Sequence, residues 1–254
     1  MIQHSGDSRE PVLLSWSGGK DSALALYYLR RMEQQYEVVG LLTTVSDEYR
    51  RVSHHGVQEV LLDRQAAALG LPLDKLYVPT NSTLPCTHEQ FVQMMGEKLT
   101  AYRDAGVRYV AHGDIFLEDL RRYRETNLAR LGMQGVFPLW HRDTTELVEE
   151  FVSLGFRAVL SCIDGQKLDE SFVGREIDHS FLGDLPPTVD PCGEYGEYHS
   201  FVYDGPIFRE PIGVHVGERV QREQRWYVEL LPSDKLHVGA ATARYDNNLI
   251  GSQK

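Results

Sequence analysis

Cysteine is scarce in this chain. Cys86, Cys162 and Cys192 are the three in 254 residues, odd in number and far apart, so neither a disulfide framework nor a CxxC-type zinc site can be read from them. Reduced thiols in a reducing compartment are expected. Long apolar runs are missing as well: none approaches the ~20 residues of a membrane span, and residues 1–9 are polar, without the apolar core of a signal peptide. A cytoplasmic location without a membrane partner is the expectation. Positive charge is also in short supply, with 26 Lys and Arg against 37 Asp and Glu, a net charge of −11. Neutralising a nucleic-acid backbone needs a concentrated basic surface, so no nucleic-acid partner is expected. What is present suits a globular protein with a substantial core: 42% hydrophobic residues, 25% charged residues and 22 glycines. Such a length accommodates one large α/β domain or two modest ones.

From residue 11 to about 131, short β-rich runs alternate with longer stretches of helical period, which is the pattern of stacked βαβ units and a parallel sheet. Strands are predicted over 12–16, 38–44, 76–78 and 109–111. The helices predicted between and after them begin at Asp21, with Leu24, Tyr27, Tyr28 and Met32 as the apolar face, and continue over 57–68, 89–105 and 117–131. Val57, Val60, Leu61 and Ala68 carry the period of the second, which Gly70 and Pro72 stop. Four βα repeats result. Beyond Pro138 the rhythm becomes irregular: a helix over 144–154, a strand over 156–163, a Gly- and Pro-rich passage, then strands over 199–203, 212–216 and 225–231. The last ten residues are polar and expected to be loose. A boundary near Gly135 divides a nucleotide-fold half, 1–135, from a smaller mixed half, 136–254. No low-complexity linker separates them, so they are expected to pack closely and to share a site at their junction.

The most informative segment is Leu14-Ser15-Trp16-Ser17-Gly18-Gly19-Lys20-Asp21-Ser22, where the first strand gives way to the first helix. Two glycines permit a tight turn whose N–H groups converge, and a helix start adds partial positive charge, which together make an anion nest. Lys20 supplies a full charge, and Ser17 and Ser22 supply hydroxyls. The string is neither a Walker P-loop nor GxGxxG. A plain strand-to-helix turn with Ser17 as N-cap is the bland alternative.

Ser17-Gly18-Gly19-Lys20-Asp21-Ser22 resembles the pyrophosphate loop of the N-type ATP pyrophosphatases, which cleave ATP between its α and β phosphates. Leu41-Leu42-Thr43-Thr44-Val45, His55-Gly56-Val57, Gly113-Asp114-Ile115, Asp119-Leu120-Arg121, Pro138-Leu139-Trp140 and the run from Pro191 to Phe201 resemble the diphthine-ammonia ligase family. The strings at Pro138 and Pro191 look like that family's bacterial members. The resemblance implies an adenine nucleotide alpha hydrolase-like (HUP) fold, a doubly wound parallel sheet with a smaller C-terminal α+β domain. It implies an AMP-forming ligase that uses ATP and Mg2+ to adenylate a carboxylate-bearing acceptor, which ammonia then converts to an amide. The sequence departs from the family pattern at His112, Tyr195 and Ser200, and it leaves the acceptor open. A homodimer is compatible with it.

Ser17, Gly18, Gly19, Lys20, Asp21 and Ser22 are expected to hold the phosphates. Thr43 and Thr44 close the second strand, His55 sits in the next loop, and Gly113-Asp114 follows the fourth strand; all face the crevice of such a sheet and are assigned to the nucleotide. Asp21 and Asp114 are the candidate magnesium ligands. Glu194, Glu197 and His199, clustered with two glycines, join Lys20 and Asp21 as catalytic candidates for orienting the amine or accepting its proton. Structural counterparts exist for each: strand filling by the threonines, an exposed loop histidine, an N-capping aspartate, a polar hairpin. Arg121 and Glu125 lie on a charged helix whose bland reading is a solvated, salt-bridged face. Two rival functions share the loop: a tRNA-modifying sulfurtransferase, which needs reactive cysteines and a basic surface, and a non-catalytic adenine-nucleotide-binding module.

Overall fold

The computed structural model describes residues 9–52, 55–80 and 86–234. His54, which beside His55 reads from sequence as solvent-facing, and the last ten residues, expected to be loose, lie outside the described residues. The chain begins with β1 (Glu10–Ser15), α1 (Lys20–Arg31), β2 (Tyr36–Ser46), α2 (Glu59–Leu69) and β3 (Leu73–Val78). It continues with α3 (His88–Asp104), β4 (Tyr109–Ala111), α4 (Glu118–Arg130) and β5 (Gln134–Val136). These five strands form a parallel sheet in the order β3-β2-β1-β4-β5. The order reverses beside β1, so the carboxyl ends of β1 and β4 flank the crevice where such sheets take ligands.

The fifth strand was not expected. Gln134–Val136 is three residues long and pairs with β4, too short to show a period of its own. It straddles position 135.

The second half contains α5 (Thr144–Ser153), β6 (Arg157–Asp164), a single 3-10 turn, α6 (His179–Asp184), β7 (Tyr198–Asp204), β8 (Val214–Arg222) and β9 (Arg225–Pro232). Its sheet is antiparallel, ordered β7-β6-β9-β8. The strand expected over 212–216 is in fact the longer β8, whose outer end is mostly exposed and carried by pairing with β9 rather than by burial.

One apolar core runs through both halves, with α1 at its centre. The face expected for α1 is corrected accordingly. Met32 is 40% exposed at the helix end, whereas Ala23, Leu24, Ala25, Leu26 and Leu29 are all buried. The reason is that α1 touches β1 and β2 on one side and β7 on the other, so a single stripe cannot serve it. On α2, Val60 points outward and Leu61, Leu62, Gln65 and Ala66 point in.

The opposite face of the parallel sheet is covered differently. There α3, opened by a Thr87–Gln90 capping box, fully buries only Leu99, and α4 only Leu128. A small cluster of Leu13, Leu42, Leu99, Val107, Val110, Leu128 and Met133 fills part of this layer. The remainder is open space.

Candidate functional site

The chain leaves β1 through Trp16 and Ser17, turns at Gly18 with φ +79°, and enters α1 at its N-cap, Gly19. A positive φ is what glycine supplies cheaply. Space sets a second demand here, because a Cβ on Gly18 would lie 2.7 Å from the Gln65 side-chain oxygen. Gln65 is fully buried and fastens the turn: its amide donates to Gly18 O (3.0 Å) and Val202 O (2.6 Å), and its oxygen accepts the Trp16 indole N–H (2.9 Å). Val202 N–H in turn donates to Gly18 O at 2.9 Å, so the second half is bonded directly to the loop. Gln65 went unnoticed in the sequence, where it is one polar residue on a helix.

The loop's other groups are also engaged. Gly19 N–H points to Ser17 Oγ (3.3 Å), Lys20 N–H donates to Ser200 Oγ (3.1 Å), and Ser22 Oγ donates to Gly19 O (2.9 Å). The Lys20 side chain is 1% exposed. Its ammonium contacts Asp21 Oδ1 at 2.8 Å, donates to Cys192 O, and lies 5.3 Å from the centre of the Tyr198 ring. Burial works against the charge, but Asp21 above all restores it and holds the Lys20 pKa well above its ordinary value. The loop therefore carries a fixed positive charge at the start of a helix, in a dry setting.

Around it lies a cavity of about 560 Å3. Of the residues proposed from sequence, Ser17, Gly19, Lys20, Asp21, Ser22, Thr43, Thr44, His55, Gly113, Asp114, Glu194 and His199 all line it, whereas Gly18 and Glu197 do not. Gly18 lies behind the loop. Glu197 is buried, with Oε1 accepting Asp190 N–H (3.1 Å) and its backbone carbonyl accepting Asp164 N–H (2.8 Å). Asp190 then accepts the N–H groups of Cys192 and Glu194, both at 3.0 Å, which shapes the turn that presents Glu194.

Glu194 faces the cavity across from the β4 loop, where Oε1 accepts Ile115 N–H at 2.9 Å. Burial, opposed by that hydrogen bond, raises its pKa to about 7. His55 brings Nδ1 within 3.3 Å of Ser200 O, and its ring lies 4.5 Å from that of His199. Gly113 has no room for a side chain, since a Cβ would stand 2.8 Å from the Asp21 backbone. Asp114 is 9% exposed, and both its oxygens are held by Arg124, at 2.5 and 3.1 Å. Arg121 instead pairs with Glu125 and stacks over Phe137 and Trp140, outside the cavity lining. The signal for Arg124 lies in the spacing: Leu120, Arg124, Asn127 and Leu128 line the cavity from one face of α4.

The cavity has two unlike ends. Lys20, His55, Glu194, His199 and Ser200 surround one, whereas Leu42, Val110, Phe91, Val92, Met95, Leu99, Leu128 and Leu131 enclose the other, between the sheet and α3 and α4. A groove of about 630 Å3 on the outer side of these helices shares Val92, Tyr123, Asn127 and Arg130 with it. Among the described residues, the buried side-chain polar atoms without a partner are Thr43 Oγ1, both ring nitrogens of His112, and Glu197 Oε2. Thr43 and His112 line this cavity. A charged end, an apolar end and orphaned polar groups between suit a ligand that joins phosphates to an aromatic base.

For magnesium the fit is narrower. No group of three or more His, Cys, Asp or Glu able to hold a metal occurs among the described residues. Asp21 lines the cavity with one oxygen on Lys20, while both oxygens of Asp114 are occupied by Arg124. Such a donor set matches an ion that brings its own phosphate ligands and takes one or two protein carboxylates, not a preformed protein cage.

Burial raises the pKa of both Cys162 and Cys192, and Cys86 stands apart from the cavity lining. No helix among the described residues is long and apolar enough to cross a membrane.

Comparison with known proteins agrees with this geometry. Residues 11–135 match the Diphthamide synthase N-terminal domain, and residues 143–235 match the Diphthamide synthase C-terminal domain. Several proteins named diphthine–ammonia ligase are similar along most of their length. The one from Bos taurus is 30% identical over 230 residues, 80% of this chain and 82% of the relative. That from Homo sapiens is 30% identical over 232 residues, with 80% and 82% covered, and that from Danio rerio 29% over 228 residues, with 80% and 86% covered. With both of its halves matched and its loop, crevice and second-half turn brought to one cavity, the chain belongs to the diphthamide synthase family.

Proposed function

We propose that this protein is an ATP-dependent ligase that adenylates the carboxylate of a diphthine-type acceptor, releases pyrophosphate, and transfers the acyl group from AMP to ammonia as an amide, with AMP leaving. The observation that carries this reading is the buried Lys20 at a helix start, its ammonium paired with Asp21 on the first half and its N–H and ammonium bonded to Ser200 and Cys192 on the second, beside the turn bearing Glu194. In it the phosphates of ATP lie at the charged end, the base lies in the apolar end, and Thr43 and Thr44 face the nucleoside between them.

Lys20 and the N–H groups of the first turn of α1 stabilise charge that builds on the leaving pyrophosphate, and they are already oriented before the reaction begins. The N–H groups of Gly19 and Lys20, occupied by the hydroxyls of Ser17 and Ser200, exchange those partners for phosphate oxygens, leaving the hydroxyls to donate in their turn. Asp21, and Asp114 on release from Arg124, are the carboxylates that would hold magnesium, which would supply positive charge at the phosphates. Glu194, with a pKa of about 7, takes the proton that ammonia loses as the C–N bond forms. His199 and His55 border the acceptor, and Glu197 holds the turn through Asp190. The buried setting of Cys162 and Cys192 and the ligase names of the relatives favour this reading over a sulfurtransferase, and turnover would distinguish it from a binding module.

The test is incubation of the protein with Mg-ATP, ammonium and diphthine-bearing or simpler carboxylate acceptors, with AMP and pyrophosphate measured together. Stoichiometric release of both, dependent on acceptor, is the expected result. Release of ADP and phosphate would overturn adenylation.

A further inference from the structure

His112 is 7% exposed, lines the cavity, and neither ring nitrogen has a hydrogen-bond partner. A buried imidazole in that condition loses its hydration without replacement, so its retention calls for a cause. Packing supplies part of one, because the ring stacks on Phe137 with centroids 5.6 Å apart and planes 25° off parallel. A phenyl group would do this equally well and would carry no unpaired nitrogens.

The direction of the ring follows from the strand. His112 extends β4, with its N–H on Val136 O at 2.9 Å, so side chains alternate through it. Val110 belongs to the cluster of Leu42, Leu99 and Leu128 beneath α3 and α4, and Gly113 faces the Asp21 backbone of α1. His112 therefore shares the face of Val110 and looks into the apolar end of the cavity, away from α1. Arg124, its charged neighbour, is already committed to Asp114. At this apolar end, beside Val110, Leu42, Leu99 and Leu128 and away from the phosphate-binding loop, the unpartnered ring offers hydrogen-bonding nitrogens, and no acidic neighbour among the described residues pairs with it. Such a group does not read phosphate. It reads a neutral partner that carries donors and acceptors of its own, as a nucleoside does through its ring nitrogens, amine and ribose hydroxyls.

We propose that His112 is a specificity-determining residue that hydrogen-bonds the nucleoside part of bound ATP, supplying the partner that its buried ring lacks in the free protein. The inference rests on the nucleotide reading given above and assigns within it a residue whose loss should separate two affinities. The test is titration calorimetry of the wild-type protein and His112→Phe with Mg-ATP and with inorganic tripolyphosphate, alongside thermal unfolding of each ligand-free protein. His112→Phe keeps the stack on Phe137. The expected result is an ATP affinity lower by ~10-fold, the size of one lost hydrogen bond in a dry site, with tripolyphosphate affinity unchanged. The ligand-free variant should melt no lower than wild type, since two unpaired buried nitrogens have gone. A merely structural role predicts the reverse: a lower melting temperature and equal losses for both ligands. That pattern, or unchanged ATP affinity, would overturn the proposal. Should His112→Phe not fold, His112→Gln is judged by the same ratio of the two affinities. A wild-type protein that binds ATP no better than tripolyphosphate would overturn the nucleoside reading at its root, a failure distinct from that of His112 alone.

Discussion

The two faces of the parallel sheet are built to different standards. On the α1 side, Leu24, Leu26 and Leu29 are buried and Gln65 bonds Trp16 and Gly18 of the loop and Val202 of β7, so the ground under Lys20 is tightly packed and bonded. On the α3 and α4 side, two long helices each bury one residue and leave both ring nitrogens of His112 unpaired. The difference separates two tasks. Charge that must be fixed before a reaction needs rigid support, whereas a space that admits a ligand is completed only when the ligand fills it.

The contrast can be broken most sharply at the charge. Lys20→Ala should lower acceptor-dependent pyrophosphate release by about 10²–10³-fold, the usual cost of losing one preorganised donor. Comparable turnover in the variant would mean that the α1 side is scaffold alone. Next in size is Leu26→Ala, which leaves a cavity in the packed side and should cost about 2–5 kcal/mol in urea unfolding.

Glu194 tests the seam between the halves. Its folded-state pKa of about 7 lies above the ordinary 4.5, so the protonated carboxyl stabilises the fold at low pH, and that contribution is lost as pH rises through about 7. Glu194→Gln should thus match wild type near pH ~5 and exceed it by on the order of 2 kcal/mol near pH ~8, judged by urea unfolding at both. A constant difference across that window would place the carboxyl in water. The smallest effect belongs to the open side. Met95→Ala borders existing space, so its ligand-free stability should fall by less than about 1 kcal/mol. A loss equal to that of Leu26→Ala would erase the distinction between the two faces.

Legibility in the sequence followed the same division. Ser17 to Ser22 could be read because its chemistry is local: glycines, a lysine and hydroxyls within one turn, at a junction marked by a change of period. Glu194 and His199 were reached through a resemblance, and their meeting with the loop depends on Lys20 contacts to Cys192 and Ser200, which no local pattern records. Arg124 and Arg121 cannot be told apart in the sequence, because charges along α4 look alike until the sheet determines which face turns inward. β5 escaped because three residues cannot display alternation. His112 was noted only as a departure from a family pattern, since the absence of a hydrogen-bond partner is a property of folded surroundings and not of a residue.

The burial of α1 on both sides has a consequence for how this architecture can be divided. Cutting the chain between its two matched regions would leave the first piece with Leu26 and its neighbours facing water, and with Gly18 O and Lys20 N–H deprived of Val202 and Ser200. The halves are thus poor candidates for exchange with other proteins as interchangeable modules. Any lineage that replaced one would have had to remake the surface of the first helix in the same step.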